Sequence, residues 1–199
     1  MIWLIQQNDL SVAKDILKRG FKAEAERTSI RYRKELDLEG HAPLCAFKLA
    51  EHLKIGVFKA NEWVNSAKDI QLLNGSDWSA LTMKGKSGST IIIHNPYNSP
   101  ARQQADIMHE LSHIICGHSF ENHDTGFQLP MGMRSFNELF EEEAKCLGAT
   151  LQLTKDGLLW GLRNDMNVAK LAEHFNASTE MVNYRLRMSG AAKQYSYYK

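Results

Sequence analysis

Apolar positions along the chain fall at helical spacing, then in short β-branched runs, then at helical spacing again. Leu10–Arg19 and Phe21–Leu38 read as helices divided by Gly20, a common helix stop. His41-Ala-Pro43 breaks the pattern, and Pro43 suits the first turn of a helix running to about Leu53. Ile55–Ala60, Trp78–Met83 and Thr90–His94 read as strands, with turn residues at 84–89 joining the last two as an antiparallel hairpin. Ser99-Pro100 makes an N-cap and first-turn pair for a helix to about Gly117. Residues 118–135 read as a long loop of the functional kind, and Ser135 is expected to cap a helix from Phe136 to about Leu153. Asn167–Phe175 and Ser178–Met188 form a helical pair turning at Asn176, and Gly190–Lys199 reads as frayed. The pattern predicts an α+β fold, a small antiparallel sheet packed on helices. Its expected divisions are an N-terminal helical region (1–54), a core (55–160) and a C-terminal helical hairpin (161–199) completing the domain.

Composition narrows the class. The 199 residues are 43% apolar and 24% charged, which suits one globular domain with its own core. The net charge of +1 lacks the basic excess of a chain that lives on a phosphate backbone, so direct nucleic-acid binding is not expected. The longest apolar run, Met1–Ile5, is far short of the roughly 18 residues that span a bilayer. Three cysteines, Cys45, Cys116 and Cys146, are odd in number and form no C-x-x-C pair, which points to a reducing compartment. The expectation is a soluble cytoplasmic protein with no membrane partner.

The chemistry lies in His109-Glu110-Leu111-Ser112-His113. Histidines four apart on a helix share one face, so both imidazoles can reach one metal ion, and the intervening glutamate can serve as general base on a bound water. Ile107, Met108, Leu111, Ile114 and Ile115 form an apolar arc on the opposite side, leaving Arg102 and Asp106 beside the histidines. Catalytic zinc takes three protein ligands and a water. A metzincin would need glycine at position 116 and histidine at 119; the chain has Cys116 and Ser119. A glutamate from the next helix is the alternative, and Glu141, Glu142 and Glu143 are available. Glu143 projects into the apolar stripe Phe136, Leu139, Phe140, Ala144, Leu147 and Leu151, where a carboxylate needs a partner; Glu141 and Glu142 lie off it. Glu143 is therefore the expected third ligand. Cys116, roughly on the ligand face, is a rival that buried apolar cysteine explains as well. His94, His118 and His123 lie outside the motif and read as loop or surface residues.

These residues resemble the ImmA/IrrE family of metallopeptidases. Thr90-Ile-Ile-Ile-His-Asn95 is similar to a family strand ending in Asn. Arg102-x-x-Ala105-x-x-x-His109-Glu-Leu-Ser-His113 and Glu141-x-Glu143-Ala144-x-x-Leu-Gly-Ala149-x-Leu151 are similar to its two site helices, and Ala169–Leu186 to its C-terminal segment. The resemblance implies a thermolysin-like, gluzincin-type zinc site with His109, His113 and Glu143 as ligands and Glu110 as the catalytic glutamate. It implies an endopeptidase whose protein substrate is a helix-turn-helix repressor of a phage, mobile element or stress response. Ser112, Lys145, Gly148 and Thr154 depart from the family pattern, and none removes a ligand or the base. The other reading is a non-enzymatic regulator that binds a protein or DNA through the C-terminal helix pair. Tyr184, Arg185 and His118 are oxyanion candidates that spacing does not place. Thr90–His94 reads equally as an edge strand able to pair with an extended substrate or as a central strand.

Overall fold

The computed structural model describes residues 16–62, 78–84, 89–118 and 137–197. Eight α-helices and three strands lie among them: α1 (Phe21–Glu35), α2 (Ala46–His52), β1 (Gly56–Lys59), β2 (Ala80–Lys84), β3 (Thr90–His94), α3 (Pro100–Ile115), α4 (Glu138–Gln152), α5 (Lys155–Arg163), α6 (Val168–His174), α7 (Thr179–Met188) and α8 (Ala191–Tyr197). The class is α+β, as expected, but the sheet is mixed rather than antiparallel. Its order is β1-β3-β2, with β2 antiparallel to β3 and β1 parallel to it. The hairpin reading of β2 and β3 captures a local pairing. The parallel pair joins strands more than thirty residues apart, and strand-length patterns carry no information on that. Thr90–His94 is the central strand, paired on both sides, so the edge-strand reading of this segment is overturned.

Helix boundaries follow local caps. Ser99 Oγ accepts from Arg102 N–H to start α3, and Asn137 Oδ1 accepts from Phe140 N–H to start α4. Asn137 thus takes the role expected of Ser135, which lies outside the described residues, as do residues 10–15 of the first expected helix and 119–135 of the expected loop. Residues 16–19 of that first helix are not helical. Pro43 precedes α2 instead of entering it; Gln104 of α3 caps it, Oε1 accepting from Ala46 N–H at 2.7 Å. The C-terminal stretch expected to fray forms α8, anchored by fully buried Ala191.

Among the described residues, two apolar clusters hold the elements together. The first joins α1, α2, β3, α3 and α4 around Leu49, Ile92, Ile107, Met108, Leu111 and Leu151. The second joins α5 to α8 around Leu158, Leu171, Phe175 and Val182. Helix α4 links them, and its buried C-terminal end needs donors for carbonyls that no further turn satisfies. Arg33 donates to Leu151 O at 3.0 Å and, more weakly, to Gln152 O; Arg185 donates to Leu153 O at 2.8 Å. Burial pushes the Arg33 guanidinium down to about 10 against the opposing pull of Glu26, and Glu26 Oε1 also accepts from Arg185. Arg185 is therefore committed to fixing α7 on α4 and α1, which removes it from the oxyanion candidates.

Candidate metal centre

The site forms where α3 and α4 cross. Gly148 marks the crossing: a Cβ there would meet Met108 O at 3.2 Å and His109 N at 3.3 Å, so the α4 backbone lies against the turn of α3 that carries His109. Ser112, at the position where the family pattern has glycine, is fully buried and donates to Met108 O at 2.7 Å, so its hydroxyl is satisfied within its own helix.

His109 and His113 present their Nε2 atoms to one point, 3.1 Å apart. The third group there is Glu141, with Oε2 at 3.2 Å from His109 Nε2 and Oε1 at 3.5 Å from His113 Nε2. A tetrahedral zinc with bonds of about 2.0–2.1 Å spaces its ligand atoms about 3.3–3.4 Å apart. The three side chains therefore fit such an ion in both donor chemistry and spacing. The expected third ligand, Glu143, is elsewhere: it is buried, as the stripe argument requires, but its Oε2 lies 3.0 Å from His118 Nε2.

The reason lies in the surroundings of α4. From Glu143 to Gln152 every residue except Lys145 is buried, because α1, α3 and α7 all pack on this helix. Its apolar stripe thus marks burial, not the line that faces α3. Gly148 marks that line, and Glu141, seven residues or nearly two turns earlier, shares its face. Glu141-x-x-Ala144-x-x-x-Gly148 is the sequence signal that locates the face of α4 turned to α3.

Glu110 is buried beside the pair and accepts from Thr82 Oγ1 at 2.6 Å. Thr82, on β2, is a functional neighbour that helix periodicity does not reveal; its signal is the pairing of β2 with β3, next to α3. Asp106, one turn before His109, is held by Arg102 Nε at 2.8 Å. Burial raises its pKa even against that guanidinium. Burial also disfavours a charged His109, but the Glu141 hydrogen bond and the charges of Glu110, Glu141 and Asp106 outweigh it and raise the pKa. Burial would raise the Glu141 carboxyl, but the His109 hydrogen bond and the two neighbouring imidazoles prevail and hold it well below the usual range. A carboxylate held ionised here, with Glu110 and Asp106 close by, supplies the negative charge that a dication would meet. Cys116 is half-buried, and burial followed by the Glu143 charge pushes its thiol up to about 11, the wrong direction for a thiolate ligand.

A helix carrying H-E-x-x-H, crossed at close range by a carboxylate-bearing helix and flanked by a small sheet, defines a metallopeptidase-type protein. The chain matches the Peptidase_M78 family, the IrrE N-terminal-like domain, over residues 65–187, and it belongs to that family. Among curated proteins none is a significant match. No helix among the described residues is long and apolar enough to cross a membrane.

Proposed function

We propose that the protein is a zinc-dependent endopeptidase of the thermolysin-like type, with His109, His113 and Glu141 holding the metal and Glu110 acting as the base. The convergence of two imidazole nitrogens and one carboxylate at tetrahedral spacing is the observation that carries this reading. Zinc held there supplies Lewis-acid polarisation of the scissile carbonyl and of the attacking water. Glu110 takes the proton from that water and passes it to the leaving amine. Thr82 fixes one oxygen of Glu110 by donating to it, which leaves the other oxygen to face the reacting atoms. Because β3 is internal, the strand that pairs with an extended substrate is β2, which has one partner among the described residues and touches Glu110 through Thr82. A flexible segment of a cytoplasmic regulatory protein suits such pairing, and the substrate implied by the family resemblance is a helix-turn-helix repressor. The rival, a binding module without catalysis, has no use for a buried glutamate poised beside two histidines.

The test is a matched pair of proteins, wild type and Glu110→Gln, assayed for zinc content and for cleavage of a repressor presented with its interdomain linker. The expected result is one zinc in each and a loss of cleavage of about 10²- to 10⁴-fold in the variant. Equal turnover in both would end the reading.

A further inference from the structure

We propose that His118 and Glu143 form a positioning relay that fixes the tautomer of His113, so that His113 Nε2 always offers its lone pair to the metal. This rests on the reading of His109, His113 and Glu141 as the ligand group.

Placement begins in the backbone. Helix α3 stops at Gly117, whose φ of +68° is the left-handed conformation that glycine adopts at little cost. Gly117 N–H donates to Ile114 O, and His118 N–H folds back to His113 O at 3.1 Å, the paired hydrogen bonds of a Schellman stop. That motif brings the residue after the glycine against the residue five positions earlier, usually as an apolar contact. Here the two residues are His118 and His113, and their Nδ1 atoms lie 2.8 Å apart. His118 is buried, its ring stacked on Phe140 with centroids 4.3 Å apart and planes 10° apart, while its Nε2 lies 3.0 Å from Glu143 Oε2.

Proton placement then follows from the partners. An ionised carboxylate only accepts, so His118 Nε2 carries the hydrogen that Glu143 receives. The Nδ1 of that neutral ring is then an acceptor, and the donor across the 2.8 Å contact is His113 Nδ1–H. With its proton on Nδ1, His113 has its lone pair on Nε2, the atom that faces His109 and Glu141. The reverse placement would put a proton on His113 Nε2, pointing into the ligand group. Metal-binding histidines commonly donate their second nitrogen to a carboxylate or carbonyl. Here the carboxylate acts through an intervening imidazole. The relay also answers what a buried Glu143 is for: α4 supplies one carboxylate to the ion and another, two residues on, to the back of a ligand.

The test uses full-length His118→Phe, His118→Asn and Glu143→Gln. Each is measured for zinc affinity by chelator competition, for the melting temperature of the metal-free form, and for the visible spectrum of the cobalt-loaded form. Phe keeps the stacked ring and removes both nitrogens, so His118→Phe should lower zinc affinity about 10- to 100-fold and shift the cobalt bands. Its metal-free form should melt somewhat lower because Glu143 loses its partner, so zinc affinity and the cobalt spectrum are read on protein that is folded at the assay temperature. His118→Asn restores an acceptor where Nδ1 stood and should recover most of the affinity, which a purely structural role would not predict. Glu143→Gln keeps an accepting oxygen and should lose little. Wild-type affinity and cobalt spectrum in His118→Phe, or no recovery in His118→Asn, would overturn the relay and leave the ligand group intact. Complete loss of zinc in Glu143→Gln would make Glu143 itself a ligand and overturn the ligand reading as well.

Discussion

The two helices that build the site stand in different surroundings. Helix α3 keeps an open flank: Ile107, Met108 and Leu111 are fully buried and Glu110 and His113 are buried on the site side, while Asp106 and His109 are partly covered and Arg102 is exposed. Helix α4 is enclosed on nearly every side from Glu143 onward. On α3, then, polarity reports direction, and a polar residue opposite the apolar arc is a candidate for chemistry. On α4, apolar character reports only that the helix is inside, and direction is given by the small residues where another backbone comes close. A buried carboxylate on such a helix needs a partner, but its burial does not say which.

Filling the crossing of α3 and α4 should have the largest effect. Gly148→Leu drives a side chain into the Met108 and His109 backbone, and overpacking of this kind costs up to about 3 kcal/mol. Zinc affinity should fall with stability, because His109 moves away from Glu141; denaturant melts and zinc titration check both. Next in size is Arg33→Met, which keeps volume but strips donors from the Leu151 and Gln152 carbonyls at the enclosed end of α4. About 2 kcal/mol of destabilisation is expected. The matching change on α3 is Arg102→Ala, which removes a half-exposed ion pair with Asp106. It should cost no more than about 1 kcal/mol, and a cost equal to that of Arg33→Met would erase the contrast between the helices. The smallest effect is chemical. Burial raises the Cys116 thiol to about 11, so its thiolate is scarce at pH 8 and alkylation there should be slow. The rate should climb about tenfold per pH unit up to that value, as read by peptide mapping. A Cys116 that alkylates at pH 8 like an ordinary free thiol would contradict this.

The same contrast governs how far the sequence could be read. Helix α3 was legible because Ser99-Pro100 starts it, Gly117 stops it and its faces differ in polarity, so His109, Glu110 and His113 fall where their spacing puts them. The existence of α4 was legible, but its rotation was not, and the glutamate that lies beside His109 and His113 is Glu141 where the stripe pointed to Glu143. Helix α5 was missed because Gly157 and Gly161 give Lys155–Arg163 the look of a loop. Both glycines make room for side chains of α6 and its C-cap: a Cβ on Gly157 would lie 2.9 Å from the Phe175 ring, and one on Gly161 would strike Leu171. Glycine chosen by a tertiary contact cannot be told from glycine chosen by a turn until the contact is known. The parallel pairing of β1, the Thr82 contact to Glu110 and the His113–His118–Glu143 line depend on encounters between distant segments, or on a backbone stop whose consequence is a side-chain contact.

If the metal takes its carboxylate from the first turn of α4, Glu141 is the residue whose loss it cannot tolerate. Zinc titration of wild type beside Glu141→Ala, with Glu142→Ala as the neighbouring control, tests it most directly. One zinc per chain is expected in wild type and in Glu142→Ala, and an affinity at least about 100-fold lower in Glu141→Ala, since a direct ligand should matter no less than the outer partners that orient it. Wild-type zinc affinity in Glu141→Ala would contradict it.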